Sequence, residues 1–182
     1  MTDDAEAGML STTPTASATT PEATEPHPVP ALSATIAVLI VVLDQLTKRW
    51  ALSGLTGREP RHVIWTLQFN LTRNSGMAFS KAQGIGPVIG VGALLVVLWL
   101  AWSSRKMTGR VTAVAAGLIA GGAIGNLCDR LFRGGHFLRG SVIDFIDFQW
   151  FPIFNVADMA IDIGGVLFVL WTAFGYRKAR AA

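Results

Sequence analysis

Residues 154–176 read FNVADMAIDIGGVLFVLWTAFGY, a short polar opening followed by an apolar run. A run of this length is about what a helix needs to cross the ~30 Å hydrocarbon core of a bilayer. Asp158 lies near its start, and Asp144 lies shortly before it. Ionisable groups close to hydrocarbon are costly, so their default interpretation is functional. Two carboxylates that converge at a membrane edge are sufficient to activate a water molecule.

Three further apolar stretches precede this one, at 32–52, 85–102 and 111–128. The 182-residue chain is 51% hydrophobic and only 15% charged, and its mean hydropathy is +0.46. A soluble domain of this size needs more charge to cover its surface. The sequence therefore predicts a membrane protein, mainly α, with four transmembrane helices.

Between the first two spans, residues 65–72 alternate strictly between apolar and polar side chains. The apolar face consists of Trp65, Leu67, Phe69 and Leu71. A period of two indicates a half-buried strand. Because a lone strand inside lipid leaves backbone groups unpaired, we expect a small β-sheet that rests on the membrane. A second excursion at 129–155 lies on the same side and contains a strand-like segment at 142–148.

The first 30 residues are rich in Thr, Ala, Pro, Ser and Glu and contain no Lys or Arg. Such a segment cannot bury a core. We therefore expect a disordered tail at 1–30, a four-span domain at 31–176 and a short basic tail at 177–182. An even number of spans places both termini on one side, but counting basic residues on the two sides leaves the orientation open.

Composition excludes several functional classes. The net charge of +3 comes without a patch of mixed basic and aromatic residues, so nucleic-acid binding is not expected. Cys128 is the single cysteine, which excludes an intrachain disulfide and any multi-cysteine metal site. The three histidines form no HExxH motif, which argues against a zinc protease.

Small and charged residues recur at helical spacing within the spans. Asp44 and Lys48 are four residues apart, so they share a helix face and can form an ion pair. Gly117, Gly121 and Gly125 also recur every four residues, which indicates close helix packing through a small-residue face.

Polar residues gather where the third span ends and the fourth begins. Asn126, Asp129 and Arg130 end the third span, and the Arg can extend to the interface or bind a lipid phosphate. Asn155 and Asp158 fit a capping box, so a purely structural role at the start of the last helix is the alternative to a catalytic one.

Three other polar residues have weaker signals. Asn74 opens the segment NSGMAF at 74–79, which fits a turn before the second span. Asp147, three residues after Asp144, is expected to be solvated. Asp162 lies one helical turn beyond Asp158, and the sequence assigns it no role.

These motifs together resemble the lipoprotein signal peptidase (signal peptidase II) family over residues 32–176. The matching segments, in order, are Asp44-x-x-x-Lys48, Asn74-x-Gly-x-Ala-Phe, Gly121-Gly122-x-x-Gly-Asn126-x-x-Asp129-Arg130, Val142-x-Asp144-Phe and Phe154-Asn155-x-Ala157-Asp158. The loop from Asp129 to Asp144 looks longer than in some members. The resemblance implies an intramembrane aspartyl peptidase with four spans and both termini in the cytoplasm. It also implies a bacterial cell-membrane location, with the sheet and active site near the extracytoplasmic face.

The resemblance implies roles for particular residues. Asp144 and Asp158 correspond to the catalytic pair. Substrate binding or support of the site is implied for Asp44, Lys48, Asn74, Gly122, Asn126, Asp129, Arg130, Asn155 and Ala157. The implied substrate is a diacylglyceryl-modified prolipoprotein, cut before its modified cysteine within membrane lipid. We expect no cofactor, no metal and no nucleic-acid partner, and we expect a monomer.

Two other functions are compatible with apolar spans that carry acidic residues. A proton-coupled carrier also places carboxylates in spans, although it needs a polar path through the midplane. A non-catalytic assembly subunit would use the glycine face, but it has no need of two carboxylates at one membrane edge.

Overall fold

The computed structural model describes residues 29–75, 86–103, 109–134 and 137–175. The described elements, in chain order, are helix α1 (Val29–Leu55), strands β1 (Arg61–Ile64) and β2 (Leu67–Asn74), helices α2 (Gly86–Ser103) and α3 (Arg110–Phe132), strand β3 (Val142–Asp147) and helix α4 (Val156–Leu170). A π-helical turn, Trp171–Gly175, extends α4. The tails predicted at 1–30 and 177–182 fall outside these ranges, except for the first residues of α1.

Three described helices are long and apolar enough to cross a membrane, namely Pro30–Leu55, Arg110–Phe132 and Val156–Phe174. The fourth predicted span coincides with α2, whose apolar part, Pro87–Ser103, is shorter. Each of the four predicted apolar stretches is therefore a helix. By length and composition, three of these described helices are candidate membrane spans, and the prediction of a fourth span is not confirmed.

Helix α3 lies at the centre and packs against α1, α2 and α4. Its glycines allow the close approach to α1 that the sequence predicted. A Cβ at Gly121 would lie 2.8 Å from the carbonyl oxygen of Ala37, and one at Gly117 would lie 2.7 Å from that of Ser33. Gly164 of α4 packs in the same way against α3. Backbones thus approach closely on both sides of α3.

The three strands form one antiparallel sheet in the order β1-β2-β3. The sheet packs on the end of α1, where Phe145 of β3 joins a buried cluster with Ala51 and Leu55. Trp50 contacts Phe69 edge-on, with ring centroids 5.0 Å apart. Because the sheet is fixed to α1, strand β3 holds its side chains at a defined position beside the helix ends.

The predicted strand at 65–72 is wrong at its start. Trp65 and Thr66 form the hairpin turn between β1 and β2. Trp65 has φ 55° and is 90% exposed, so it does not share the apolar face of Phe69. The sequence also missed β1, because Arg61–Ile64 is exposed throughout and shows no alternation. The segment predicted at 142–148 is β3 and ends one residue earlier.

Replacing Gly121 with Ala should destabilise the protein by about 1–3 kcal/mol, since the added methyl meets the backbone of α1. The thermal unfolding midpoint in detergent measures this effect. Gly165→Ala is the matched control, because a Cβ there meets nothing within 4 Å. Equal midpoints for the two variants would show that the α1–α3 contact does not depend on glycine.

Candidate active site

A buried ion pair network joins α1 to α3. The Nζ atom of Lys48 lies 2.8 Å from Oδ2 of Asp44 and 2.9 Å from Oδ2 of Asp129. All three side chains are fully buried. The predicted pair of Asp44 and Lys48 is therefore confirmed, and it includes a second carboxylate from α3.

Two residues that sequence reasoning missed complete this network. Arg133 donates from Nε to Oδ1 of Asp129, so two cations balance the two carboxylates. Gln45 donates from Nε2 to Oδ2 of Asp44 and to the carbonyl oxygen of Gly125, both at 3.1 Å. The i, i+4 spacing of Asp129 and Arg133 was the available signal.

The two buried carboxylates also hold backbone N–H groups of the neighbouring elements. Oδ2 of Asp129 accepts from the N–H of Ile143 at 3.1 Å. Oδ1 of Asp44 accepts from the N–H of Ala157, also at 3.1 Å. Each acceptor thus fixes the residue immediately before Asp144 or Asp158.

Glycines make room for these contacts. A Cβ at Gly125 would lie 2.6 Å from Oδ2 of Asp44, and one at Gly122 would collide with the carbonyl oxygen of Ala157. Helix α4 can therefore approach α3 closely, and Asp44 of α1 can contact the first turn of α4.

Asn126 connects Lys48 to Asp158. Its Oδ1 accepts from Nζ of Lys48 at 2.9 Å, and its Nδ2 donates to Oδ1 of Asp158 at 2.8 Å. Because the ammonium group can only donate, it fixes the amide so that the NH₂ group faces Asp158.

Asn155 caps α4 and also bridges the two aspartates. Its side chain accepts from the N–H of Asp158 at 3.0 Å, and its own N–H donates to Oδ2 of Asp158 at 3.1 Å. Its Nδ2 donates to Oδ1 of Asp144 at 2.6 Å. The predicted capping box is confirmed, and the same Asn155 side chain also contacts Asp144.

Asp144 is buried on β3, where Asn74 of β2 donates to its Oδ2 at 3.1 Å. Burial, and then the charge of Asp158, raise the pKa of Asp144 to about 6, against the hydrogen bonds from Asn155 and Asn74. Asp144 and Asp158 line one cavity of about 460 Å³, together with Asn74. A carboxyl with this pKa can hold a proton close to neutral pH.

Arg130 does not extend to the interface as the sequence allowed. Its side chain is 6% exposed, and its Cδ lies beside Gly90 of α2. Among the described residues its Nη1 has no hydrogen-bond partner. It lines a second cavity of about 290 Å³ with Asn126 and Asp158.

Asp147 is buried, so the expectation that it is solvated is wrong. It accepts from Gln68 at 2.8 Å and Asn70 at 3.0 Å, and from the N–H of Gln149 at 2.6 Å. Burial alone would raise the pKa of Asp147, but these hydrogen bonds outweigh it and lower the pKa. Asp147 thus ties β2 to β3, apart from the catalytic candidates.

The structure brings together most residues that the sequence singled out. Contacts join Asp44, Lys48, Asn74, Gly122, Asn126, Asp129, Asp144, Asn155, Ala157 and Asp158. Residues 76–79 of the Asn74 segment lie outside the described ranges. Within those ranges, no group of three His, Cys, Asp or Glu side chains is arranged to hold a metal ion.

Apolar helices long enough to cross a bilayer, with a buried polar cluster at one end, define a membrane-type protein with a candidate active site. Comparison with known proteins gives its family. A model of signal peptidase II matches residues 36–174. Lipoprotein signal peptidases of Mycolicibacterium smegmatis and Mycobacterium avium are each 42% identical over 78% of this chain. The matches cover 61% and 78% of those relatives. The Syntrophomonas wolfei lipoprotein signal peptidase is 40% identical over 80% of this chain and 95% of its own length.

Solved structures agree with this assignment. Two structures of a bacterial membrane enzyme, determined in meso at 2.3 Å and 1.9 Å, are each 30% identical with a TM-score of 0.67. They cover 79% and 77% of this chain, and 88% and 91% of their own. The chain belongs to the signal peptidase II family, which confirms the resemblance seen in the sequence.

Replacing Lys48 with Met should cost roughly 3–5 kcal/mol, because it leaves Asp44 and Asp129 buried without their shared cation. Thermal unfolding in detergent measures this loss. Arg49→Met, at the exposed neighbouring position, is the control and should unfold close to the unmodified protein. Similar midpoints for both variants would contradict the central role of Lys48.

Proposed function

We propose that this protein is an aspartic endopeptidase that removes signal peptides from prolipoproteins, cutting before the diacylglyceryl-modified cysteine. One observation carries the proposal. Asp144 and Asp158 line the same cavity and are bridged by Asn155, at one end of apolar helices. Two carboxylates so placed supply an acid and a base for hydrolysis.

In the proposed mechanism the two aspartates share one proton. The ionised Asp158 removes a proton from water, and the resulting hydroxide bonds to the scissile carbonyl carbon. The protonated Asp144 gives its proton to the carbonyl oxygen. The tetrahedral intermediate then returns that proton, Asp158 protonates the leaving nitrogen, and the C–N bond breaks to leave an acid and an amine.

The environments of the two carboxylates support this assignment. Asp144 is buried and has a raised pKa, which favours the protonated form. Asp158 accepts from Asn126 and from the N–H of Asn155. It also lies in the first turn of α4, where the helix dipole favours negative charge. The protonation states still belong to the coupled pair.

The proposed membrane arrangement has four spans, with α2 as the fourth. Its 18 residues correspond to roughly 27 Å of helix at 1.5 Å per residue, close to the thickness of the core. The proposal places both termini in the cytoplasm and the sheet and cavity at the extracytoplasmic face of a bacterial cell membrane. In this proposal the enzyme is a monomer and needs no cofactor.

The cavity has both polar and apolar lining residues, which fits a substrate that is both peptide and lipid. The polar ones are Asn74, Asp144, Asp158 and Asp162, and the apolar ones include Phe151, Phe154, Met159 and Ile163. In the adjoining cavity, Arg130 offers an unpartnered N–H to a substrate carbonyl. The substrate would supply the hydrogen bond that this buried donor lacks among the described residues.

Asp144→Asn and Asp158→Asn should each abolish cleavage of a diacylglyceryl-modified prolipoprotein, while the protein still inserts and folds. Either change removes one member of a pair that acts as a unit. Release of the signal peptide by purified protein in detergent is the assay. Glu59→Gln, an exposed carboxylate outside the cavity, should retain full turnover. Substantial cleavage by either aspartate variant would exclude this catalytic pair.

A prolipoprotein that lacks the diacylglyceryl group should be a poor substrate, with lower kcat as well as higher KM. Binding energy from the acyl chains helps to position the peptide bond that is cleaved. The test compares kcat/KM for matched lipidated and unlipidated substrates. Equal values for the two would favour a general membrane protease.

A further inference from the structure

The sheet contains a register shift just before the residue that contacts Asp144. Strand β2 pairs with β3 at Phe69 and Ile146, and again at Thr72 and Asp144. Between these two pairs the chain advances three positions on β2 but only two on β3, so β2 carries one extra residue. Residues 70–71 therefore form a β-bulge, a feature that re-aims the side chains that follow it.

The bulge determines which residue of β2 reaches Asp144. In the observed register Asn74 pairs with Val142, and its Nδ2 donates to Oδ2 of Asp144 at 3.1 Å. Without the extra residue, Arg73 would pair with Val142 instead. Because side chains alternate along a strand, a slip of one residue turns each of them to the opposite face. The hydrogen bond from Asn74 to Asp144 therefore depends on the bulge.

Asp147 contacts both the bulge and the regular pair beside it. Its Oδ2 accepts from Nδ2 of Asn70, within the bulge, at 3.0 Å. The same oxygen accepts at 2.8 Å from Nε2 of Gln68, which pairs with Asp147 in the ladder. Its Oδ1 accepts from the N–H of Gln149 at 2.6 Å. Since Asp147 is buried, losing a donor is costly, and a slip that withdraws Asn70 is opposed.

We propose that Asp147 is a positioning residue for the reaction, because it fixes through Asn70 the bulge that brings Asn74 to Asp144. This inference rests on the proposed function, in which Asp144 is the acid. The hydrogen bond from Asn74 lowers the pKa of Asp144. Releasing the bulge should therefore raise that pKa by about one pH unit, the effect of losing one hydrogen bond to a carboxylate.

The test is an infrared titration of the Asp144 carboxyl in the full chain in detergent, with its band identified by loss in Asp144→Asn. Asn70→Ala and Gln68→Ala are a matched pair, since each removes one amide donor from the same oxygen of Asp147 and changes no charge. Only Asn70 lies in the bulge. Asn70→Ala should raise the pKa of Asp144 by about one pH unit, and Gln68→Ala should leave it at about 6.

A double variant shows whether Asn70 acts through Asn74. Asn74→Ala removes the hydrogen bond to Asp144 directly and so sets the size of the expected rise in pKa. Asn70→Ala combined with Asn74→Ala should raise the pKa of Asp144 no further than Asn74→Ala alone, because both changes act on one hydrogen bond. Additive rises would show that Asn70 acts on Asp144 by another route and would overturn the inference.

Charged groups on three helices also act on Asp144, namely Asp158 on α4, Lys48 on α1 and Arg130 on α3. All three are unchanged in these variants. In the proposed reaction Asp144 must be protonated, so activity falls as the pH rises through its pKa, and a higher pKa moves this alkaline limb upward. The alkaline limb of kcat/KM in Asn70→Ala should therefore move up by the same amount as the infrared titration.

The outcomes separate this inference from the proposed function. If an active Asn70→Ala variant leaves the pKa of Asp144 unchanged, or if Gln68→Ala raises it equally, the inference alone is overturned. The packing of Leu71 on the buried cluster would then set the register. If Asn70→Ala does not fold, Asn70→Leu decides by the same criteria. Failure of the unmodified protein to cleave a diacylglyceryl-modified prolipoprotein would overturn the proposed function, and with it the role of Asp147 in the reaction.

Discussion

One buried lysine shared by two carboxylates is the interaction on which the site depends. Lys48 holds Asp44 and Asp129 at 2.8 and 2.9 Å. Asp129 also accepts a hydrogen bond from the N–H of Ile143, and Asp44 accepts one from the N–H of Ala157. Those two residues directly precede Asp144 and Asp158. The network therefore sets the spacing of the catalytic candidates by fixing the backbone of β3 and α4 relative to α1 and α3.

The supporting carboxylates, Asp44 and Asp129, and the catalytic candidates, Asp144 and Asp158, have different kinds of hydrogen-bond partner. Cations contact the supporting carboxylates, Lys48 on both and Arg133 on Asp129. Hydrogen bonds to the catalytic candidates come instead from the neutral amides of Asn74, Asn126 and Asn155 and from a backbone N–H. Burial, and then the charge of Asp158, raise the pKa of Asp144, and the hydrogen bonds from neutral donors lower it by less than these two causes raise it. In the proposed mechanism this division would let the pair share a proton, while the cations balance the supporting carboxylates.

Local patterns in the sequence predicted the parts of the structure that local geometry determines. The apolar stretches became helices, and the i, i+4 pair of Asp44 and Lys48 and the capping box at Asn155 were found as expected. The sequence could not show which carboxylate receives which donor, since Ala157 and Asp44 are 113 residues apart. It also missed the turn at Trp65, because a positive φ at a bulky residue follows from the tertiary context rather than from propensity. The hydrogen bonds that bury Asp147 come from Gln68 and Asn70 on another strand, and the local sequence of the strand-like segment does not reveal these partners.

The central claim is that Asp144 and Asp158 form one electrostatically coupled pair. The most direct measurement is an infrared titration of the Asp144 carboxyl, with its band identified by loss in Asp144→Asn. The account predicts that Asp158→Asn lowers the pKa of Asp144 from about 6, because a neighbouring negative charge is removed. The pKa should stay above its ordinary value, since burial, the larger cause, remains. A pKa of Asp144 that is unchanged or raised in Asp158→Asn would contradict the coupling.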